Sequence, residues 1–550
     1  MPRWLRLALG HAAIAIAVVR IVATYPVFNQ TYDEPISVAC GMQWLDRGVY
    51  LYDQKHPPLG RVAAAFGAYV TGNRGNAGED VRQVGNAILG HGDYWRNLAL
   101  ARAGVLPFFV LGCWALWAWV AWAAGPLAGL VAVSLFTLLP TVLGHAGLAM
   151  TDGVLLGTFT MALWAWCLWL ERPSRRRSLL LGAGLGLAVL SNFSGIIFLL
   201  ACGLPIAVFY ARRMHAAGPI YAWSSRVRSG ALAALLAAGV IWAGYRFSWQ
   251  PYDGGQAQPH ATLDRMLGEH GLARRLAATA LRTPIPAPEL FSGMIQLGHH
   301  NQESHYNLFL GQYSNTGWWF YYPVMLAVKT PLAFWVLFAV GLVAAWRRGN
   351  WRTWALLWPV SAFLLVGLLS HINTGVRHIL AIYAPLAAVA ALGVVFLLRS
   401  NRVARALCVV LLLWLAVDSS LAQPDFLAYF NALADGTSGR FGVASDLDYG
   451  QDLARLGPAC ARHGIHSLAL AYYGTVDTER LGLPPHHALA PGVPVSGWVA
   501  ISMNKLKLGE HEDHPADYAW LESYSPVELV GKSIRLYNIP AQAFFFVAVP

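Results

Sequence analysis

The chain of 550 residues is 56% hydrophobic and only 12% charged, with a mean hydropathy of +0.45. A soluble chain carries about twice that share of charge, so the composition excludes an ordinary globular protein and indicates a polytopic membrane protein. The formal net charge of +11 does not indicate nucleic-acid binding, because the arginines cluster in short loops between apolar runs, as topology signals do.

The first apolar run starts at the N-terminus. Its basic beginning would suit a cleaved signal peptide, but the run continues through Arg20 to Phe28 without a clean cleavage site, which favours an uncleaved span. The further apolar runs have lengths suited to crossing the hydrocarbon as helices. Together they predict about eleven transmembrane helices, at residues 5–28, 99–122, 127–147, 153–170, 178–192, 194–210, 229–247, 321–346, 353–370, 377–398 and 406–421.

Basic residues mark one side of this predicted bundle. Arg3 and Arg6 precede the first span, and arginine-rich loops follow the fourth, sixth, eighth and tenth spans. With an odd number of spans, all of these loops fall on one face, which the positive-inside rule makes cytoplasmic. We therefore expect a multi-pass protein with a cytoplasmic N-terminus.

Three longer segments then fall on the outer face, at residues 29–98, 248–320 and 422–550. The last segment alternates helical patterns with short β-rich runs, namely SLALAYY, GWVAIS and SIRLYNI. The sequence thus predicts a membrane domain over 1–421 and a small extracytoplasmic α/β domain over 422–550.

Ionisable residues gather at the outer ends of the predicted spans, where their cost in free energy makes them functional candidates. The acidic candidates are Asp33 and Glu34 in TYDEP and Asp152 in AMTDG. The basic candidates are Lys55, His56 and Arg61 in QKHPPLGR, Arg102, Lys329 in AVKTPL, and Arg377 and His378 in HINTGVRH. Acids and bases from distant parts of the chain thus share one membrane face.

Most of these residues also have a structural explanation. Asp33 and Glu34 are compatible with the first turn of a solvated helix, and Asp152 with an N-cap of the fourth span. Arg102 and Arg377 are each compatible with an anchor at the interface. Lys329 is harder to explain structurally, because it is the one lysine of five that falls in a predicted span.

The histidines and cysteines do not predict a metal site. His299, His300 and His305 lie in a polar stretch, HHNQESH, without a standard ligand spacing. The six cysteines are scattered and form no CxxC pair, which also speaks against a disulfide scaffold.

The charged residues together favour one kind of reaction. Carboxylates beside cations at the outer membrane surface are suited to accept a proton from an acceptor hydroxyl while the cations hold a phosphate leaving group. Arginine suits that role because its planar fork binds two phosphate oxygens at once. A lipid-linked phosphate donor presents its phosphate at this depth.

The order of the motifs resembles a known family. An acidic pair after the first span, then HPPLGR, then TDG, resembles the membrane glycosyltransferases of the C-type (GT-C) fold, and more narrowly the protein O-mannosyltransferase and aminoarabinose-transferase superfamily. YSNTGWWFYYPVMLAVKTPL and VASDLDYGQDLARL resemble the bacterial branch of phospholipid-carrier-dependent glycosyltransferases. The resemblance covers nearly the whole chain.

This resemblance implies a GT-C enzyme of the bacterial inner membrane. Such an enzyme would transfer a hexosyl or pentosyl group from a polyprenyl-phosphate sugar to a lipid, glycan or protein acceptor at the periplasmic face, with inversion. Asp33 would be the base, Glu34 its assistant or the alternative base, and Asp152 a second acid that shapes the acceptor site. The donor phosphate would meet Lys55, His56, Arg61, Arg102, Arg377 and His378, with Lys329 added on its position.

Two questions stay open at this point. Oligosaccharyltransferase relatives use a metal here, but Asp33 and Asp152 are the sole candidate ligands, so we expect neither a cofactor nor an essential metal. Many spans with charge near the membrane also fit a transporter or lipid flippase, although transporters usually show two related halves, which this chain lacks. A scaffold whose tail binds partners is a third, weaker alternative.

Overall fold

A computed structural model describes residues 1–75, 78, 80–215, 223–252, 271–300, 306–434, 438–510 and 514–541, so that His305 lies outside the described residues. The helices of this part are α1 Arg3–Val22, α2 Glu34–Met42, α3 Pro58–Val70, α4 Val81–Gly90, α5 Tyr94–Ala124, α6 Pro126–Phe136, α7 Pro140–Ala146, α8 Thr151–Glu171, α9 Arg175–Ser191, α10 Ser194–His215, α11 Trp223–Gly244, α12 Leu272–Arg282, α13 Pro288–His300, α14 Tyr321–Lys329, α15 Leu332–Arg348, α16 Trp351–Leu368, α17 Tyr383–Arg399, α18 Arg402–Leu421, α19 Leu456–Arg462 and α20 Met503–Leu508. A 3₁₀ turn, Val376–Ile382, leads directly into α17.

Membrane-spanning helices dominate the described chain, as predicted. Eight helices are long and apolar enough to cross a membrane, and two bent pairs, α6–α7 and α14–α15, bring the number to ten. The predicted span at 178–192 accounts for the difference from eleven. It corresponds to α9, whose 17 residues begin with three arginines and extend about 26 Å, at the short end of what crosses the hydrocarbon.

The predicted span at 321–346 is broken. Its two halves, α14 and α15, meet at an angle of 114°. The break falls at Thr330 and Pro331, where Thr330 is extended with φ −121° and ψ 134° because a residue before proline is disfavoured in helical conformation. Lys329 is therefore the last residue of a short helix at a bend, rather than a residue within a straight span.

Glycines allow two membrane helices to approach closely. A Cβ on Gly341 in α15 would lie 2.0 Å from the carbonyl oxygen of Val389, and one on Gly393 in α17 would lie 2.2 Å from that of Leu337. The opposing groups are backbone atoms, which cannot rotate away, so the packing of α15 on α17 requires glycine on both helices.

The C-terminal part of the chain holds a five-stranded mixed sheet of order β6-β5-β7-β9-β8. The strands of the described chain are β1 Trp249–Pro251, β2 Pro284–Pro286, β3 Asn307–Phe309, β4 Gln312–Ser314, β5 Leu468–Ala471, β6 His486–Ala488, β7 Gly497–Ser502, β8 Glu528–Val530 and β9 Ile534–Ile539. The three β-rich runs of the sequence form β5, β7 and β9. Every residue of β5 is buried, and so are most residues of β7 and β9, as expected for strands of a packed sheet.

The tail contacts both the first outer segment and the membrane helices. Leu470, Ala500 and Leu536 of the sheet share one apolar core with Val84 and Ile88 of the first outer segment. Between α18 and the sheet, the described residues form turns and short helices without a strand. There the side-chain amide of Asn431 donates to the carbonyls of Ala327 and Thr330, each at 2.7 Å.

The glycine contact predicts a selective loss of stability in Gly341→Ala. The new methyl group has to displace the backbone of α17, and we expect a cost of about 3 kcal/mol in the free energy of unfolding. Thermal unfolding in detergent measures this loss. Gly239→Ala in α11 is the matched control, because nothing lies within 4 Å of its Cβ position and alanine favours a helix over glycine. Equal melting temperatures for the two variants would contradict the packing.

Candidate active site

A cavity of about 680 Å³ lies where the outer segments meet the ends of the membrane helices. Seven of the ten predicted site residues line it, and they come from four distant parts of the chain. These seven are Asp33, Lys55, His56, Arg61, Asp152, Arg377 and His378. The other three, Glu34, Arg102 and Lys329, lie outside its lining.

Arg377 is the centre of the cluster. Its Nη1 atom lies 3.2 Å from Oδ2 of Asp33 and 3.9 Å from Oδ2 of Asp152. The same atom donates to the hydroxyl of Tyr449 at 2.5 Å, and the guanidinium lies 4.9 Å from the centre of that ring. Because Nη1 makes all of these contacts, the remaining edge of the guanidinium is left over, and its Nε has no hydrogen-bond partner among the described residues.

The local backbone explains how Arg377 is held. Gly375 precedes the 3₁₀ turn with φ 152°, and a Cβ there would lie 2.1 Å from the hydroxyl oxygen of Ser445. Ser445 donates to the carbonyl of Thr374 at 2.6 Å, and Oδ2 of Asp446 accepts from the backbone N–H of Val376 at 2.9 Å. The tail segment thus fixes the turn that carries Arg377.

Asp33 points one carboxylate oxygen at these partners and leaves the other free. Arg377 and the hydroxyl of Tyr449 both donate to Oδ2 of Asp33, whereas Oδ1 accepts no hydrogen bond within the described chain. The side chain is 30% exposed, towards the cavity. Burial opposes ionisation, but Arg377, Tyr449 and nearby His56 outweigh it and hold the pKa of Asp33 below its usual value.

Neither Asp33 nor Asp152 caps a helix, which corrects one structural interpretation. Asp33 occupies the N-cap position of α2, but its side chain makes no capping hydrogen bond. The N-cap of α8 is Met150, and Asp152 is the second residue of that helix. Both carboxylates therefore remain available to Arg377 and to the cavity.

The segment QKHPPLGR forms a second cationic wall. Arg61 is buried in an ion pair with Asp53, Nη2 to Oδ2 at 2.6 Å, and also donates to the Tyr50 hydroxyl at 3.1 Å. Arg61 lowers the pKa of Asp53 to about 2, against the effect of burial. Arg61 is thus occupied in shaping the loop that carries Lys55 and His56.

Lys55 and His56 face the cavity with unused polar atoms. Lys55 has no acidic partner within 4 Å in the part of the chain that the structure describes. Nδ1 of His56 is buried without a hydrogen-bond partner among those residues. Burial and the charge of Arg61 lower the pKa of His56 to about 4, so that it is neutral at pH 7. His378 shares a 2.8 Å hydrogen bond with the Thr374 hydroxyl.

Glu34 and Arg102 form a buried ion pair outside the cavity. The side chains are 0% and 1% exposed, and both Nε–Oε1 and Nη2–Oε2 distances are 2.9 Å. Glu34 also accepts from the backbone N–H groups of Ala149 and Thr31, while Arg102 donates to the carbonyls of Phe28 and Asn29. These contacts use both groups fully, which does not support Glu34 as a base or Arg102 as a phosphate ligand.

Lys329 is likewise occupied. Its Nζ donates to the backbone carbonyls of Leu427 and Asp446, each at 2.7 Å, and lies 4.4 Å from the centre of the Phe430 ring. The side chain is fully buried. Its position at the bend therefore fixes the tail segment below the cavity, and does not support a contact with a donor phosphate.

Sequence reasoning did not assign Tyr449 to the site. It lies in DLDYGQD, within the segment VASDLDYGQDLARL that carries the resemblance to the bacterial branch. The structure gives the acids structural contacts: Asp448 accepts from the backbone N–H of Asn504 at 2.8 Å, and Asp452 from those of Lys532 and Ser533. Asp53, which neutralises Arg61, was also missed, although it lies two residues before Lys55.

The two carboxylates that line the cavity beside Arg377 are Asp33 and Asp152. No group of three or more His, Cys, Asp or Glu side chains is placed to hold a metal within the described residues. Between Asp33 and Asp152 lies the guanidinium of Arg377, in the place that a cation bridging the two acids would take.

Comparison with known proteins shows the fold. No family model matches the chain, and no curated protein matches it. The chain is similar to ArnT from Cupriavidus metallidurans bound to undecaprenyl phosphate, with TM-score 0.50, 13% identity, and coverage of 96% of this chain and 97% of that chain. The apo state of that protein gives 0.47 at 12% identity with the same coverage. The apo oligosaccharyltransferase of Archaeoglobus fulgidus gives 0.45 at 14% identity, covering 98% and 76%.

The first of these similarities confirms the predicted fold class. The chain has the architecture of GT-C membrane enzymes, with a bundle of apolar helices followed by a small C-terminal sheet region.

The buried pair predicts that Glu34→Gln destabilises the protein. The substitution keeps the shape of the side chain but leaves Arg102 as an uncompensated buried charge, which costs about 3–5 kcal/mol. Thermal unfolding in detergent measures the change. Asp46→Asn is the control, because it disrupts the exposed pair with Arg74, where little stability is lost. A Glu34→Gln protein as stable as Asp46→Asn would show that the pair is not a structural anchor.

Proposed function

We propose that this protein is a membrane glycosyltransferase that moves a sugar from a polyprenyl-phosphate donor to an acceptor hydroxyl or phosphate. One observation carries the proposal: a free carboxylate oxygen of Asp33 lies beside an arginine with an unused edge, in a cavity at the ends of membrane helices. The similarity of fold to ArnT bound to undecaprenyl phosphate supports the class of donor.

Asp33 is the general base in this proposal. Its lowered pKa keeps it ionised at neutral pH, and Oδ1 is the oxygen left to receive a proton. The acceptor O–H bond breaks, its proton moves to Oδ1, and the oxygen forms a bond to the anomeric carbon. The bond from that carbon to the phosphate oxygen breaks on the opposite side, and its electron pair leaves with the polyprenyl phosphate. A single displacement of this kind inverts the anomeric centre.

The donor phosphate binds the unused edge of Arg377 and the uncompensated charge of Lys55. Nε of Arg377 is buried and without a partner among the described residues, and a guanidinium edge binds two phosphate oxygens side by side. Neutral His56 offers a further hydrogen bond through one ring nitrogen. Cations that stabilise the charge of a departing phosphate lower the barrier, because that charge grows in the transition state.

The remaining predicted residues take supporting roles. Asp152 shapes the acceptor side of Arg377, and His378 contributes to the donor side through the lining of the cavity. Arg61 holds the loop of Lys55, whereas Glu34, Arg102 and Lys329 hold the frame. The reaction in this proposal needs no metal, since Arg377 supplies the positive charge beside both carboxylates.

The orientation of the protein in the membrane and its division into two domains are also part of the proposal, and the positions of the basic loops support the orientation. With α9 counted as a short eleventh span, the cavity faces the periplasm of a bacterial inner membrane, the N-terminus is cytoplasmic, and the domain over 422–550 is periplasmic. The acceptor is a lipid, glycan or protein of that compartment, and the sugar is a hexose or pentose.

Asp33→Asn removes the base, and we expect transfer to fall at least about 100-fold. Purified protein, radiolabelled undecaprenyl-phosphate sugars and a membrane extract provide the assay, with release of sugar from the lipid as the readout. Asp46→Asn, an exposed acid of the same outer segment, is the matched control and is expected to keep full activity. Full transfer by Asp33→Asn would show that another group is the base. Export of intact lipid without transfer, measured in proteoliposomes, would instead favour a flippase.

Lys55→Met tests the donor site separately. The loss of an uncompensated cation is expected to raise the KM for the donor about tenfold, or about 1.4 kcal/mol, with a smaller effect on the KM for the acceptor. The measurement is the initial rate as a function of donor concentration. Lys532→Met in the turn between β8 and β9, far from QKHPPLGR in sequence and outside the cavity lining, is the control. An unchanged donor KM would remove Lys55 from the phosphate site.

A further inference from the structure

The hydroxyl of Tyr449 is bonded on both sides by groups of the site. It accepts a hydrogen bond from Nη1 of Arg377 at 2.5 Å and donates one to Oδ2 of Asp33. Tyr449 is buried, and its ring lies under the guanidinium of Arg377. Burial raises its pKa well above the usual value, so that the phenol keeps its proton and remains a donor.

Rigid contacts hold this tyrosine. The acids on either side of it in DLDYGQD bind backbone N–H groups: Asp448 binds Gly450 and Asn504, and Asp452 binds Ser533. The backbone carbonyl of Tyr449 accepts from the N–H of Tyr32, the residue before Asp33. The segment that carries the phenol is therefore tied both to the tail sheet and to the chain at the base.

We propose that Tyr449 is a positioning residue, which occupies Oδ2 of Asp33 together with Arg377 and thereby directs Oδ1 of that carboxylate to the acceptor. The proposal rests on the proposed function, in which Asp33 is the base, and it assigns a role in the reaction to the segment after the last membrane helix.

The geometry explains why a second donor is needed. A carboxylate bonded through Oδ2 by Arg377 alone is free to rotate about its Cβ–Cγ bond and to present either oxygen. Two donors from different elements, the 3₁₀ turn and the tail, fix that rotation. A hydrogen bond to the charged form also favours ionisation.

Other ionisable groups near Asp33 also affect the pH dependence of the reaction rate. Arg377 and His56 face it, and Asp152 lies on the other side of Arg377. The pKa of His56 is lowered to about 4, so its protonation overlaps with the acid limb of any rate profile. A readout that belongs to the carboxyl group itself is therefore required.

Tyr449→Phe tests the proposal, because it removes the hydroxyl and keeps the ring under Arg377. We expect kcat to fall about tenfold and the pKa of Asp33 to rise by about one unit, the usual scale for one lost hydrogen bond to a charged group. The KM for the donor should change much less. Infrared titration of the carboxyl C=O band, with the Asp33→Asn spectrum subtracted, reports the protonation of Asp33 without any transfer reaction.

Tyr472→Phe is the matched control. The Tyr472 hydroxyl donates to the carbonyl of Gly450 at 2.5 Å, next to Tyr449, but does not contact Asp33. A purely structural effect of a lost tail hydroxyl would lower activity and melting temperature in both variants without moving the carboxyl titration. If the Asp33 titration in Tyr449→Phe matches that of the wild type, the proposal is overturned.

The two proposals fail in different ways. If the wild-type protein transfers no sugar from any undecaprenyl-phosphate probe, the proposed function is overturned, and the role of Tyr449 in the reaction is overturned with it. If transfer occurs and Tyr449→Phe retains the wild-type kcat, the proposed function stands and the positioning role does not.

Discussion

The buried pair of Glu34 and Arg102 is the contact on which the geometry of the site depends. Arg102 in α5 binds the Glu34 carboxylate through two nitrogens and also holds the carbonyls of Phe28 and Asn29. Glu34 in turn binds the N–H of Ala149, three residues before Asp152. The chain after the first span, the start of α2 and the start of α8 are thus joined at one point. Because burial leaves Glu34 and Arg102 no access to water, neither can leave the other without a large cost.

This pair also separates the roles of two adjacent acids. Glu34 points inwards and is fully buried, whereas Asp33 points into the cavity and keeps one oxygen free. The anchoring of Glu34 therefore places Asp33, one residue earlier, at a fixed distance from Arg377. A second set of contacts works from the tail: Lys329 and the acids of DLDYGQD hold the segment that brings Tyr449 to the same carboxylate.

Much of the fold was predictable, because it depends on local patterns. Long apolar runs predicted the spans, and alternating apolar residues predicted β5, β7 and β9. The bend at Thr330 also has a local cause, because a residue that precedes proline is disfavoured in a helix. It was not predicted, because the apolar residues continue on both sides of Thr330 and Pro331. The apolar part of α9 is as short as the predicted span at 178–192, because three arginines occupy the first turn of the helix.

The sequence predicted candidate residues but not their contacts. Positions at the outer ends of the predicted spans made Asp33, Asp152 and Arg377 candidates, whereas the difference between Asp33 and Glu34 depends on Arg102, which is 68 residues from Glu34 in the chain. Tyr449 is more distant still, 416 residues from Asp33. The sequence pattern carries no information on such pairings, because the fold determines which groups contact the Tyr449 hydroxyl.

In the proposed reaction, binding of the donor phosphate changes the charge around Asp33. In the protein alone, Arg377 is shared by Asp33, Asp152 and Tyr449 through a single nitrogen. A donor phosphate bound to the opposite edge of the guanidinium adds negative charge near Asp33, and nearby negative charge raises the pKa of a carboxyl group. In the proposed reaction, donor binding would therefore make Asp33 a stronger base, while its carboxyl group stays ionised in the absence of the donor. Proton transfer from the acceptor then becomes more favourable when the sugar is in place.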